Sequence, residues 1–203
     1  MISLLLTIIA AYMLGAVPSS VWIGKVFFKK DIRQHGSGNA GATNTFRVLG
    51  VFPGIIVLIL DIAKGFAAVN LSGFSEISHS DLPLILGLVA IFGHAFSVFL
   101  KFKGGKGVAT SLGVAIAAAP VPVSITVGLF LVVLVSSRMV SLSSLVAATS
   151  FALLTSFVFE TTTGIIIFSW LVAFFIWFTH RSNIQRIING AESKVNFGFG
   201  SKS

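Results

Sequence analysis

The chain contains no cysteine, so disulfides, thiolate metal sites and a cysteine nucleophile take no part in its fold or chemistry. Charge is scarce too: Asp, Glu, Lys and Arg make up 10% of the 203 residues, against about 25% in soluble domains. No His and carboxylate cluster argues for a metal, and no cofactor is expected. Fixed-period repeats, low-complexity stretches and linkers that would set off a soluble domain are missing as well. The chain reads as one domain, residues 1–203.

What is present is hydrophobic: 55% of the residues are apolar or aromatic, and mean hydropathy is +1.00. Stretches such as 1–24 and 108–137 lack any charge and exceed the roughly 20 apolar residues that carry a helix across about 30 Å of hydrocarbon. The first has no basic leader region and no clear small-residue cleavage site, so it reads as a retained span. Apolar segments cover 1–24, 48–71, 82–100, 108–137, 140–159 and 161–179. The fourth would form a helix about 45 Å long, and it contains Pro120 and Pro122, which interrupt helical hydrogen bonding. Kept as one helix, it leaves eight basic loop and tail residues on one side and five on the other. Broken into a hairpin, it puts Lys25, Lys29, Lys30, Arg33, Arg47, Lys101, Lys103, Lys106, Arg138, Arg181, Arg186, Lys194 and Lys202 on one side, thirteen against none. Short cytoplasmic loops collect Lys and Arg. The expectation is therefore an all-α, polytopic membrane protein with seven transmembrane helices, N-terminus outside and C-terminus cytoplasmic. The net charge of +8 is accounted for by these loops, and nucleic acid is not an expected partner.

Polar residues concentrate in three cytoplasmic segments. The first runs from Lys29 to Arg47 and carries Ser37-Gly38-Asn39-Ala40-Gly41-Ala42-Thr43-Asn44. Its glycines, Gly36 included, let backbone N–H groups turn inward while hydroxyls and amides add donors, which suits an oxyanion. Arg47 can fork two phosphate oxygens. A solvated flexible loop is the competing reading. The second, Lys101-Phe102-Lys103-Gly104-Gly105-Lys106-Gly107, runs into the fourth span. A glycine-rich turn at a helix N-terminus favours phosphate, and Lys106 adds a point charge; a basic topological turn is the plainer alternative. It is not a nucleotide P-loop, because Leu100 and Gly107 stand where that pattern needs Gly and Ser or Thr. In the third, Ile184, Ile187 and Ile188 recur at helical spacing, giving a short interfacial helix that ends at Asn189-Gly190. His180 and Asn183 share its first face and can bond one ligand; a membrane anchor is the competing reading. Glu192 is the only carboxylate of the tail and can pair with a neighbouring base.

Two features lie inside spans. Asp61 and Lys64 are three residues apart, where ionisable groups default to function or mutual pairing, and pairing is favoured. His94, six residues before Lys101, is expected about 9 Å inside its helix, either bracing the loops or simply buried with its bonds satisfied.

The first motif with Arg47, Gly93-His94 through Gly107, the Asp61-Ile62-Ala63-Lys64-Gly65 run, and Asn183 through Gly190 to Glu192 together resemble the acyl-phosphate-dependent glycerol-3-phosphate acyltransferases over nearly the whole chain. The resemblance implies a bacterial cell-membrane, multi-pass enzyme of phospholipid synthesis with its active site facing the cytoplasm. It would move a fatty acyl group from acyl phosphate to the 1-hydroxyl of glycerol 3-phosphate, giving lysophosphatidic acid and phosphate, with membrane lipid as surroundings. It further implies that Ser37, Gly38, Asn39, Gly41, Thr43 and Asn44 hold the acyl-phosphate headgroup. Lys106 with Gly104, Gly105 and Gly107, Arg47, His180 and Asn183 would hold glycerol 3-phosphate, and Glu192 would brace the tail. No histidine is followed five residues later by Asp, so the box of acyl-CoA-type acyltransferases is missing. Two rival classes stand beside this reading. A transporter for phosphorylated metabolites would use broken helices near Pro120, but its sites belong at the midplane and no inverted repeat is visible. A noncatalytic lipid-headgroup binder would need neither glycine-rich loop.

Overall fold

The computed structural model describes residues 2–77 and 79–196, and over these it is helical, with no strand. Lys202, counted above in the basic tail, lies outside the described residues. The chain divides into two compact units, residues 1–120 and 121–203.

The first unit holds α1 (Ile2–Ala16), α2 (Ser19–Phe28), α3 (Ala42–Leu49), α4 (Val51–Asn70), α5 (Leu82–Ala95) and α6 (Val108–Ala118). Three local features depart from the sequence expectation. The apolar stretch 1–24 is two helices bent by 47°, because Pro18 offers no N–H and cannot continue the preceding turn; α2 then extends to Phe28. The residues from Ala42 to Arg47 are not loop but the body of α3, an amphipathic helix bounded by Gly41 and by Gly50 at φ 96°. Lastly, α5 ends one residue after His94, and the chain passes through Ser97 in an extended conformation into a 3-10 turn, Val98–Leu100. His94 is thus at the end of its helix rather than well inside it, in direct reach of the following loop.

Helices of this unit meet through backbone atoms. A Cβ on Gly15 would overlap the Ala90 carbonyl, and one on Gly93 the Tyr12 carbonyl, so α1 and α5 lie in backbone contact. Gly65 meets the Thr110 carbonyl and Gly113 the Ile62 carbonyl in the same way between α4 and α6. In lipid, where burying apolar surface between helices gains little, such close approach supplies the packing. Side chains lock it: Tyr12 Oη donates to Phe96 O at 2.8 Å and Ser97 Oγ to Ala16 O at 2.6 Å.

The second unit comprises α7 (Pro120–Ser137), α8 (Val140–Phe157), α9 (Thr163–Thr179) and α10 (Arg181–Ile188). The helix leaves off at Ala118 and resumes at Pro120, so the apolar run 108–137 is broken where its prolines predict. Hydroxyls and indoles join α8 to α9: Thr155 Oγ1 and Ser169 Oγ are 2.9 Å apart, and Trp170 Nε1 and Trp177 Nε1 donate to Ser156 Oγ and Thr149 Oγ1, each at 3.0 Å. At His180 the chain bends by 62° into α10, which ends at Asn189 before Gly190 at φ 68°. Among the described residues four helices are long and apolar enough to cross a membrane, or six if each bent pair is one span, with the shorter Val108–Ala118 in addition.

Candidate active site

In the first unit the loop of residues 36–41 is shaped from within by one side chain. Asn44, 1% exposed, accepts from Ser37 N at 2.9 Å and donates through Nδ2 to Ile32 O at 2.8 Å and His35 O at 3.1 Å. Gly36 and Gly38 take φ of 62° and 72°, a region that costs other residues steric strain. The Arg47 stem lies against Gly36, so the guanidinium is carried on α3 beside the loop. Ser37, Gly38, Thr43 and Arg47 are exposed, Asn39 is half-buried, and Gly41 caps α3 in an extended conformation. Asn44 therefore builds the loop, while Ser37, Thr43 and Arg47 face outward from it.

The second loop lies next to the first, although the two are some sixty residues apart in sequence. Ala40, Leu100, Ile32 and Val21 share a hydrophobic cluster, and Gly105 approaches Ala40 O so closely that a Cβ there would stand 2.8 Å away. Gly104 N donates to Ala95 O at 2.8 Å and Gly105 N to His94 O at 3.1 Å. These two glycines let the loop lie flat against the end of α5, and their N–H groups are occupied in doing so. Ser111 N donates to Gly107 O at 2.7 Å, so the α6 first turn offers an anion the N–H groups of Val108, Ala109 and Thr110, which have no intrahelical acceptor. Gly107, at φ 83°, turns the chain into that helix, and Lys106 precedes it.

Beside both loops is a cavity of ≈ 350 Å³ lined by Asp31, Arg33, Gln34, Gly38, Leu100, Lys101 and Lys103. Asp31 accepts from Arg33 Nη2 at 2.6 Å and lies 3.2 Å from Lys25 Nζ. The Arg33 hydrogen bond, opposed by partial burial and joined by Lys25, holds the Asp31 carboxyl well below the usual carboxylate range. Arg33 is thereby neutralised, and the lysines dominate the cavity's remaining charge.

In the second unit His180 and Asn183 are 3% and 6% exposed. His180 Nδ1 is 2.8 Å from Ile176 O. Asn183 Nδ2 donates to Glu192 Oε1 at 2.7 Å, and Glu192 also receives Ser141 Oγ at 2.8 Å and Arg186 Nε at 2.8 Å. Burial opposes its charge, but the bonds from Asn183, Ser141 and Arg186 outweigh that and lower its pKa. Glu192 thus ties the chain after α10 back to α10 and to α8. Ser141 is a participant that sequence reading passes over; its only signal is the unusual density of hydroxyls at the start of α8. The Asp61–Lys64 pair is present as expected, Oδ1 to Nζ 2.8 Å, but its further partners Ser19 and His94 give no sign in the sequence.

Apolar helices ending in glycine-shaped, lysine- and arginine-bearing loops define an integral, multi-pass membrane protein equipped to handle anions. The family model for glycerol-3-phosphate acyltransferase matches residues 5–190. The glycerol-3-phosphate acyltransferase of Enterococcus faecalis is 44% identical, covering 98% of this chain and 95% of that protein; that of Levilactobacillus brevis is 46% identical, covering 95% and 94%. A crystal structure of PlsY (YgiH), an integral membrane glycerol 3-phosphate acyltransferase, in its glycerol 3-phosphate form superposes with a TM-score of 0.89 at 36% identity over 96% of each chain. Its lysophosphatidic acid form gives 0.86. The chain belongs to the glycerol-3-phosphate acyltransferase family and is an integral membrane acyltransferase.

Proposed function

We propose that this chain transfers a fatty acyl group from acyl phosphate to the 1-hydroxyl of glycerol 3-phosphate, on the cytoplasmic side of a bacterial inner membrane, with residues 1–203 acting as one catalytic domain of seven spans. The observation that carries the reading is the pairing of two glycine-shaped loops in the first unit, one beside Arg47 and one delivering Lys106 to the start of α6. Family membership across residues 5–190 supports extending it over both units. The seven spans are the four long helices, α1 with α2, Val108–Ala118 and α9, with α10 lying at the interface after the last of them.

Acyl phosphate is a mixed anhydride, so the protein need not create a strong nucleophile; it has to align two substrates and offset their charge. The O1 of glycerol 3-phosphate attacks the acyl carbonyl carbon, the carbonyl-to-phosphate C–O bond breaks, and phosphate leaves. A substrate phosphate oxygen takes the hydroxyl proton, with Ser37 and Asn183 orienting the groups. Gly38, Asn39, Gly41, Thr43 and Asn44 hold or shape the acyl-phosphate headgroup site. Arg47, Lys106, the glycines 104, 105 and 107, and from the second unit His180 and Asn183 serve glycerol 3-phosphate, while Glu192 braces the tail.

Purified protein in lipid, given glycerol 3-phosphate with either palmitoyl phosphate or palmitoyl-CoA, is expected to form lysophosphatidic acid from the acyl phosphate alone. Product from palmitoyl-CoA instead would overturn the donor assignment. Unchanged turnover in each of Ser37→Ala, His180→Ala and Asn183→Ala would overturn the site.

A further inference from the structure

The buried charges of the first unit converge on a single oxygen, and the mechanism above uses none of them. Asp61 Oδ1 receives Ser19 Oγ at 3.1 Å, pairs with Lys64 Nζ at 2.8 Å and stands 3.9 Å from His94 Nδ1. Asp61, Lys64 and His94 are 2%, 5% and 8% exposed. Lys64 Nζ also donates to Val17 O at 3.0 Å, at the Pro18 break, so the cluster is anchored on α4 and on the kink between α1 and α2. The opposite edge of the His94 ring bears on the second loop: a Cβ on Gly105 would overlap His94 Nε2. From the same residue, His94 O accepts Gly105 N.

We propose that His94 is a positioning residue for the glycerol 3-phosphate phosphate: seated between the Asp61 carboxylate and the Gly105 backbone, it fixes the height of the loop that presents Lys106 and the first turn of α6. Asp61, with Ser19 and Lys64, is the footing of this strut. The proposal rests on the reading that this loop holds glycerol 3-phosphate. A buried pair alone would be satisfied by Lys64 and Ser19; the contact on the far side of the imidazole, against a glycine whose backbone starts the anion loop, ties the cluster to substrate binding. Displacing a binding group by about 1 Å can cost as much as a hundredfold in rate, so a small settling of Gly105 is enough to register.

The test measures KM for each substrate and kcat in His94→Ala, His94→Gln and, as the control on the reading, Lys106→Met. His94→Ala is expected to raise the glycerol 3-phosphate KM about tenfold while leaving the acyl-phosphate KM within about twofold, and His94→Gln, which restores an amide near the Nε2 position, to recover most of that loss. A glycerol 3-phosphate KM unmoved by His94→Ala, or both KM values rising together, overturns the proposal. If Lys106→Met moves the glycerol 3-phosphate KM and His94→Ala does not, the proposal alone fails; if neither moves it, the loop assignment fails with it. Should His94→Ala not be recovered folded, Ser19→Ala, which leaves the ion pair in place, carries the test: a rise of about threefold in the same KM supports the strut, and no rise overturns it.

Discussion

Asn183 and Glu192 are joined by a 2.7 Å hydrogen bond that closes the turn after α10. With Ser141 and Arg186 on the same carboxylate, Glu192 is the junction at which α8, α10 and the following chain meet. Charge-assisted hydrogen bonds of this kind contribute about 1.5–3 kcal/mol. Glu192→Gln is therefore expected to lower the thermal midpoint by several degrees, read by tryptophan fluorescence because the chain offers no thiol for a dye.

The same carboxylate gives a pH dependence of known sign. Its pKa is depressed on folding below the ordinary 4.5, so its contribution to stability is complete above that value and lost as the pH falls through the depressed folded value. The stability gap between the native chain and Glu192→Gln should be constant at neutral pH and close at acid pH. A gap that widens on acidification would contradict the linkage.

Asn44 is predicted to be intolerant of truncation. Asn44→Ala takes the acceptor from Ser37 N and one of two donors each from Ile32 O and His35 O, which keep His35 N and Gly38 N; each lost bond costs about 0.5–1.5 kcal/mol. We expect a fall in kcat/KM of about a hundredfold or more as the loop loses its shape. Asn44→Asp, which keeps the acceptor for Ser37 but not the two donations, should be impaired as well. Steady-state kinetics of both variants decides this.

Much of this architecture can be read from the sequence where its cause is local. Gly107 before an apolar run marks the start of α6; Asn189-Gly190 ends α10; two prolines divide the run 108–137; a three-residue spacing joins Asp61 to Lys64. What escapes is what depends on packing. Ser141 and Glu192 are 51 residues apart, and His94 reaches Gly105 only because α5 stops short of the length its apolar run allows. The helix at Ala42–Leu49 is obscured by its small polar residues, which serve equally in a loop until Gly41 and Gly50 are seen to bound it.

Two glycines of similar helical context should respond in opposite ways to alanine. Gly113 meets the Ile62 carbonyl, whereas a Cβ added at Gly128 would find nothing within 4 Å. Gly113→Ala is expected to cost about 1–3 kcal/mol by forcing α4 and α6 apart, and Gly128→Ala to be neutral or stabilising by up to about 1 kcal/mol. Thermal midpoints in detergent measure both.

The absence of native cysteine makes the proposed topology directly measurable. In the seven-span arrangement a membrane-impermeant thiol reagent labels Ser80→Cys in intact cells, and Ser193→Cys only after permeabilisation. If residues 108–137 crossed once, both positions would label from the same side.

Backbone contact between α1 and α5 and between α4 and α6 bears finally on how the enzyme meets a changing bilayer. Lipid composition alters hydrocarbon thickness, and a helix accommodates mismatch by tilting or sliding, at fractions of a kcal/mol per Å. Helices touching through carbonyl oxygens cannot slide past one another without collision. The loops that begin where these helices end thus inherit a geometry insulated from the acyl-chain length of the surrounding lipid, which is the very material whose supply the enzyme's own reaction governs.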